Sequence, residues 1–149
     1  MYQRILAALD GSELSERVLP HVEAFAEKFG ATIVLLRANP ILNASEVAAS
    51  PRQDPTLVHR LEQQAAEENL TRVAAALRAK GYRVEVELPI GKPAEQIIER
   101  AEATGVDLIA LTTHGRGGLG RLVFGSVANE VIQKAPCPVL VVRMQHTNP

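Results

Sequence analysis

The chain predicts an α/β fold: an open five-stranded parallel sheet, Rossmann-like, in a three-layer α/β/α arrangement. Two observations carry this. Five short apolar runs alternate along the 149 residues with stretches of helical period, giving β-α-β-α-β-α-β-α-β. Most of those runs are continuously apolar, the pattern of strands buried on both faces. A strand order of 3-2-1-4-5 sets strands one and four side by side. Ligands of such sheets bind beyond the carboxyl ends of the strands where the order reverses. The length fits one domain spanning residues 1–149.

Ile5 to Leu9 is the first strand, ending in the turn Asp10-Gly11-Ser12. Leu14, Val18, Val22, Phe25 and Phe29 then recur at helical spacing and close at Gly30. Pro20 fits that helix only if it starts late, near Ser15, or kinks. Thr32 to Leu36 is the second strand. Asn39 to Pro55 holds three prolines and no period, so it reads as a long connection with a short helical piece at Ala44 to Ala49.

Leu57, Leu61, Ala65, Leu70, Val73 and Leu77 mark a long helix ending at Gly81. Arg83 to Leu88 alternates valine and leucine with charge, which predicts a half-exposed strand near a sheet edge. Gly91-Lys92-Pro93 opens a helix whose inner face is Ala94, Ile97, Ile98 and Ala101. Val106 to Leu111 is the fourth strand. Ala128, Val131, Ile132 and Ala135 line the last helix, and Val139 to Val142 is the fifth strand. Met144 to Pro149 reads as a frayed tail.

Composition excludes several function classes. A net charge of −1 gives no global basic field for nucleic acid or anionic membranes. Three Phe, two Tyr and no Trp leave few platforms for stacking single-stranded bases. No segment approaches the ~20 apolar residues of a membrane span. Met1 to Asp10 holds too short an apolar run for a signal peptide, so a cytoplasmic location is expected. The one cysteine, Cys137 between Pro136 and Pro138, reads as a small packed residue at a strand start.

The richest segment is Thr112-Thr-His-Gly-Arg-Gly-Gly-Leu-Gly-Arg-Leu-Val-Phe-Gly-Ser126. It joins the fourth strand to the last helix and carries Gly115, Gly117, Gly118, Gly120 and Gly125 with Arg116 and Arg121. Glycines let backbone N–H groups approach a ligand closely, and a helix N-terminus favours anions. The alternatives at this point are a phosphate cradle and a surface loop that binds nothing.

Gly115-Arg-Gly117-Gly-Leu-Gly120 matches the spacing G-x-G-x-x-G, but it follows the fourth strand and no helix begins at once. Gly115-x4-Gly120 is half of a Walker A loop, with Arg121-Leu122 where Lys and Ser/Thr are required. His21, His59, His114 and His146 show no metal-ligand spacing. No catalytic constellation and no metal site is predicted. Asp10 is a turn residue, a helix cap or a hydrogen-bond acceptor for a ligand. Ser126 is a helix N-cap or a phosphate contact.

The order of elements, the run Ile5-Leu-Ala-Ala-Leu-Asp-Gly-Ser12 and the segment Pro138-Val-Leu-Val-Val-Arg143 resemble the universal stress protein family over essentially the whole chain. The family's nucleotide signature is Gly, two residues, Gly, nine residues, then Gly with Ser or Thr. Gly115, nine residues and Gly125-Ser126 match its last two elements, and Thr112 stands where the first glycine falls. A threonine there narrows the pocket. The resemblance places the chain nearer the ATP-binding branch.

The resemblance implies a site as well as a fold. Asp10 would contact the adenosine, and Ala38 would form part of the base pocket through its backbone. Leu111 and Thr112 would flank the ribose and α-phosphate, and Gly115 and Arg116 would begin the phosphate wrap. Gly125, Ser126, Val127 and Ala128 would close it. The ligand would be ATP or AMP, with Mg²⁺ or Mn²⁺ held through the phosphates. The family pairs its last strand with a twofold mate, which implies a homodimer through Val139 to Val142.

The leading expectation is therefore a cytoplasmic, nucleotide-responsive stress module with at most slow ATP hydrolysis. Its client protein is not legible. The rivals are a dimeric interaction module of the same fold that binds no nucleotide, and a nucleotide-dependent transferase or hydrolase using Glu46, Arg52 and Asp54.

Overall fold

The computed structural model describes residues 1–41, 54–113 and 125–143. Strand β1 (Arg4–Ala8) leads into a short helix α1 (Glu13–Glu16) and then α2 (Leu19–Phe29). Strand β2 (Thr32–Leu36), helix α3 (Pro55–Ala79) and strand β3 (Val84–Glu87) follow. Helix α4 (Pro93–Thr104), strand β4 (Leu108–Thr113), helix α5 (Ser126–Lys134) and strand β5 (Val139–Arg143) complete the order. Every pairing is parallel and the sheet order is β3-β2-β1-β4-β5, as expected.

Alternation along the strands builds two cores. Ile5 and Ala7 of β1, with Ile33 and Leu35 of β2, face Val22 and Ala26 of α2 and Leu70, Val73 and Leu77 of α3. Leu6, Leu36, Ile109 and Leu111 point the other way, onto Ala94, Ile97 and Ala101 of α4 and Ala128 and Val131 of α5. The sheet is thus covered on both faces, which explains the continuous apolar runs.

Several boundaries differ from the sequence expectation, each for a local reason. Pro20 breaks the first helix rather than kinking it. A proline ring clashes with the carbonyl four residues back, and α1 stops at that residue, Glu16; Pro20 then sits in the first turn of α2. Strand β4 lies two residues later than the apolar run. Asp107 precedes it and accepts the backbone N–H groups of Gln3 (2.7 Å) and Arg4 (3.1 Å). Thr112 and Thr113 belong to the strand, in register with Val142 and Arg143. In α3, Ala66 is buried and Ala65 exposed, and Leu57 and Leu61 are about half exposed. The apolar stripe meets the core only from Ala66 onward. The short helical piece at Ala44 to Ala49, the residues Glu46 and Arg52, and the tail Met144 to Pro149 lie outside the described residues.

Strand β3 is an edge strand, and its alternation is uneven: Val84 is buried but Val86 is exposed. Arg4 reaches Glu85 on that edge through paired donors, one at 3.0 Å. This hydrogen bond holds the Glu85 carboxyl below the usual carboxylate range, against a smaller upward push from burial. A depressed folded-state pKa stabilises the protein above the unfolded value, and that contribution is lost as pH falls through the folded one. The pair is largely solvated, so its share is below about 1 kcal/mol. Glu85→Gln should therefore lower Tm slightly at pH 7 and leave it unchanged at pH 2, measured by thermal melts.

Candidate functional site

Beyond the carboxyl ends of β1 and β4 lies a cleft of about 140 Å³. Ala8, Leu9 and Asp10 reach it from β1 and its turn, and Leu111 and Thr112 from β4. Ser15 of α1, Pro93 and Ile97 of α4, and Val127 and Ala128 of α5 close it. A larger hollow of about 530 Å³ is lined by Gln64, Glu67, Glu68, Thr71 and Arg72, all exposed on α3. Among the described residues, its lining comes from one helix alone. The smaller cleft joins five elements at the point where strand order reverses, so it is the candidate.

The turn after β1 is tightly tied. The Ser12 N–H donates to Asp10 Oδ1 at 2.8 Å, and the Ser12 hydroxyl donates to the same oxygen. Ser12 Oγ also accepts the Ser15 N–H at 3.1 Å and so caps α1. The buried Ser15 hydroxyl donates to the Ser12 carbonyl (2.8 Å) and accepts the Asp10 N–H (3.2 Å). Asp10 is therefore both a turn residue and a cleft residue, and the cap is Ser12. Gly11 bends the chain at φ +88°, a conformation that side chains disfavour.

Helix α5 points its N-terminus at the cleft. Gly125 is its N-cap, and among the described residues no side chain caps the first turn. Ser126 is the first helical residue and not the cap, which corrects one of the two readings of this hydroxyl. Its exposed side chain does not line the cleft, and Val127 and Ala128 do. A glycine brings no capping side chain of its own, and a helix N-terminus presents backbone N–H donors and a partial positive charge.

Of the ten residues expected at the site, Asp10, Leu111, Thr112, Val127 and Ala128 come together around the cleft. Gly125 and Ser126 flank it on α5. Ala38 lies just past β2, half-buried, and does not line the cleft. Gly115 and Arg116, like His114, lie outside the described residues. Ala8, Leu9, Ser15, Pro93 and Ile97, which also line the cleft, were not expected as site residues. Ile97 was legible only as a core residue, because helical period does not say which end of a helix meets a ligand.

Cys137 is half-buried against the α4–α5 core, and burial raises its thiol pKa. It packs as a small apolar residue. Among the described residues no group of three or more His, Cys, Asp or Glu could hold a metal ion.

The model of the universal stress protein family matches residues 1–143. A universal stress protein of Thermus aquaticus is 35% identical over 96% of this chain and its own full length. The solved structure of the hypothetical protein MJ0577, from Methanocaldococcus jannaschii, superposes with a TM-score of 0.80 at 31% identity, covering 99% of each chain. A universal stress protein of Archaeoglobus fulgidus in complex with dAMP has a TM-score of 0.66 at 23% identity, over 94% of this chain and 97% of that one.

Proposed function

The chain belongs to the universal stress protein family, and from that premise we propose that it binds an adenine nucleotide, ATP or AMP, in the cleft between β1 and β4. One observation carries the reading: the cleft at the strand-order reversal receives the glycine-capped N-terminus of α5. That combination suits a phosphorylated ligand. Asp10, at the other side of the cleft, offers a carboxylate to a ribose or base. Gly125, Ser126, Val127 and Ala128 hold the phosphates, and Leu111 and Thr112 flank the ribose and α-phosphate. Gly115 and Arg116 begin the phosphate wrap, and the Ala38 backbone borders the base. The Archaeoglobus fulgidus protein of the same fold was solved in complex with dAMP, which favours an adenine ligand.

A divalent cation, Mg²⁺ or Mn²⁺, is held through the phosphates themselves. The protein acts as a nucleotide-responsive stress module in the cytoplasm, with hydrolysis slow at most. Two copies pair through β5, whose residues Val139 to Val142 are only half-buried at the open sheet edge. Sedimentation velocity should give a dimer.

The rival, an interaction module without a nucleotide, has one observation in its favour. The Thr112 side chain lines the cleft where a glycine would leave room. Thermal melts separate the two. At about 100 times Kd, ATP stabilises its binder by ~2.7 kcal/mol, which for a chain of this length raises Tm by about 5–10 °C. An unchanged Tm with millimolar ATP, AMP and Mg²⁺ would leave the interaction module as the reading.

A further inference from the structure

We infer that Arg37 holds the base of the nucleotide, its guanidinium plane stacking on the purine face. The inference rests on the nucleotide reading above and assigns the base end of that site. Arg37 follows the last residue of β2 and is fixed there by its N–H, which donates to the Glu87 carbonyl at 3.1 Å. The neighbouring Leu36 carbonyl accepts the Leu9 N–H at 2.8 Å, so the ends of β2 and β1 are stitched together. From that anchor the Arg37 side chain crosses to the turn after β1 and packs on Gly11.

A Cβ built on Gly11 would stand 2.6 Å from Arg37 Nη1, 2.7 Å from Cζ and 3.0 Å from Nη2. An in-plane approach would bring both nitrogens closer than Cζ. These distances set the face of the guanidinium, tilted toward Nη1, over the glycine. Only a residue without a side chain permits this contact. Arg37 is half-buried as a residue, and its guanidinium plane is oriented by the turn it rests on.

The position in the sheet assigns the ligand group. Phosphates belong at α5, which follows β4. Strand β2 lies two strands from β4, with β1 between them. That is about 10 Å across the sheet, comparable with the length of a nucleoside. Arg37, like Ala38, stands outside the lining of the cleft, so a ligand whose phosphates meet α5 and whose ribose passes Asp10 extends its base beyond that lining, toward β2 and Arg37. A planar, delocalised cation stacks on an aromatic face, where a lysine ammonium offers only a point charge.

The test titrates nucleotide-stripped wild type, Arg37→Ala, Arg37→Lys and Gly11→Ala with adenosine, AMP and ATP by calorimetry. Arg37→Ala should weaken all three ligands by the same factor, roughly 2- to 30-fold. Arg37→Lys should show most of that loss, since charge alone does not replace the plane. Gly11→Ala should behave similarly, because its methyl displaces the guanidinium. Arg37→Lys carries the test if the alanine variant fails to fold. Unchanged affinities in the arginine variants overturn the inference. A loss that grows from adenosine to ATP also overturns it, by assigning Arg37 to the phosphates. Wild type that binds none of the three overturns the nucleotide reading itself and this inference with it.

Discussion

Replacing Ile109 with alanine should cost about 2–5 kcal/mol of stability. Ile109 is fully buried in β4, registered against Leu6 of β1 and Val139 of β5. Its side chain fills the core between the sheet and helices α4 and α5. The truncation removes apolar contact and leaves a cavity that a parallel sheet, fixed by hydrogen bonds on both sides, cannot collapse. Against a total of roughly 5–15 kcal/mol, that is a large share. Urea denaturation should show a lower midpoint with an unchanged slope. Leu61→Ala is the contrast. Leu61 is 54% exposed, and its loss should stay within about 0.5 kcal/mol. If the two variants lose equal stability, the core assignment is wrong.

Ala128→Phe should abolish nucleotide binding while leaving the protein folded. Ala128 is buried in the first turns of α5 and lines the cleft. A phenyl ring at this position fills space needed by the ligand and overpacks the α4–α5 core by about 1–3 kcal/mol. We expect ATP affinity to fall by roughly 100-fold or more, equivalent to ~2.7 kcal/mol, with a cooperative thermal transition retained. Asn129→Ala, exposed on the same helix, should bind as wild type. Parallel calorimetric titrations check both; full binding by the phenylalanine variant would remove the ligand from this cleft.

The fold was legible because strands buried on both faces must be continuously apolar, and helices packed on them must be apolar on one side. Hence β2 is found at its true bounds, Thr32–Leu36. Strand β4 was misplaced because Thr112 and Thr113 are polar, yet they continue a ladder that β5 dictates. Tertiary pairing, not hydropathy, extends that strand. The stripe Leu57, Leu61, Ala65 has helical period but meets no core in the described residues, since period locates a face without saying what covers it. At the cleft, Asp10 and Thr112 could be placed from strand ends alone, and Leu111, Val127 and Ala128 through the resemblance. Ser15 and Arg37 could not. Their positions depend on how the β1–α1 turn folds back and on β2 lying beside β1.

The central claim is that an adenine nucleotide occupies the cleft at β1, β4 and α5. The most direct measurement is a calorimetric titration of nucleotide-stripped wild-type protein with ATP and Mg²⁺, paired with Ala128→Phe. Micromolar, one-to-one binding per chain that disappears in the variant is the predicted result. Absence of heat in wild-type protein that melts cooperatively would contradict the claim, and binding that survives in Ala128→Phe would contradict its location.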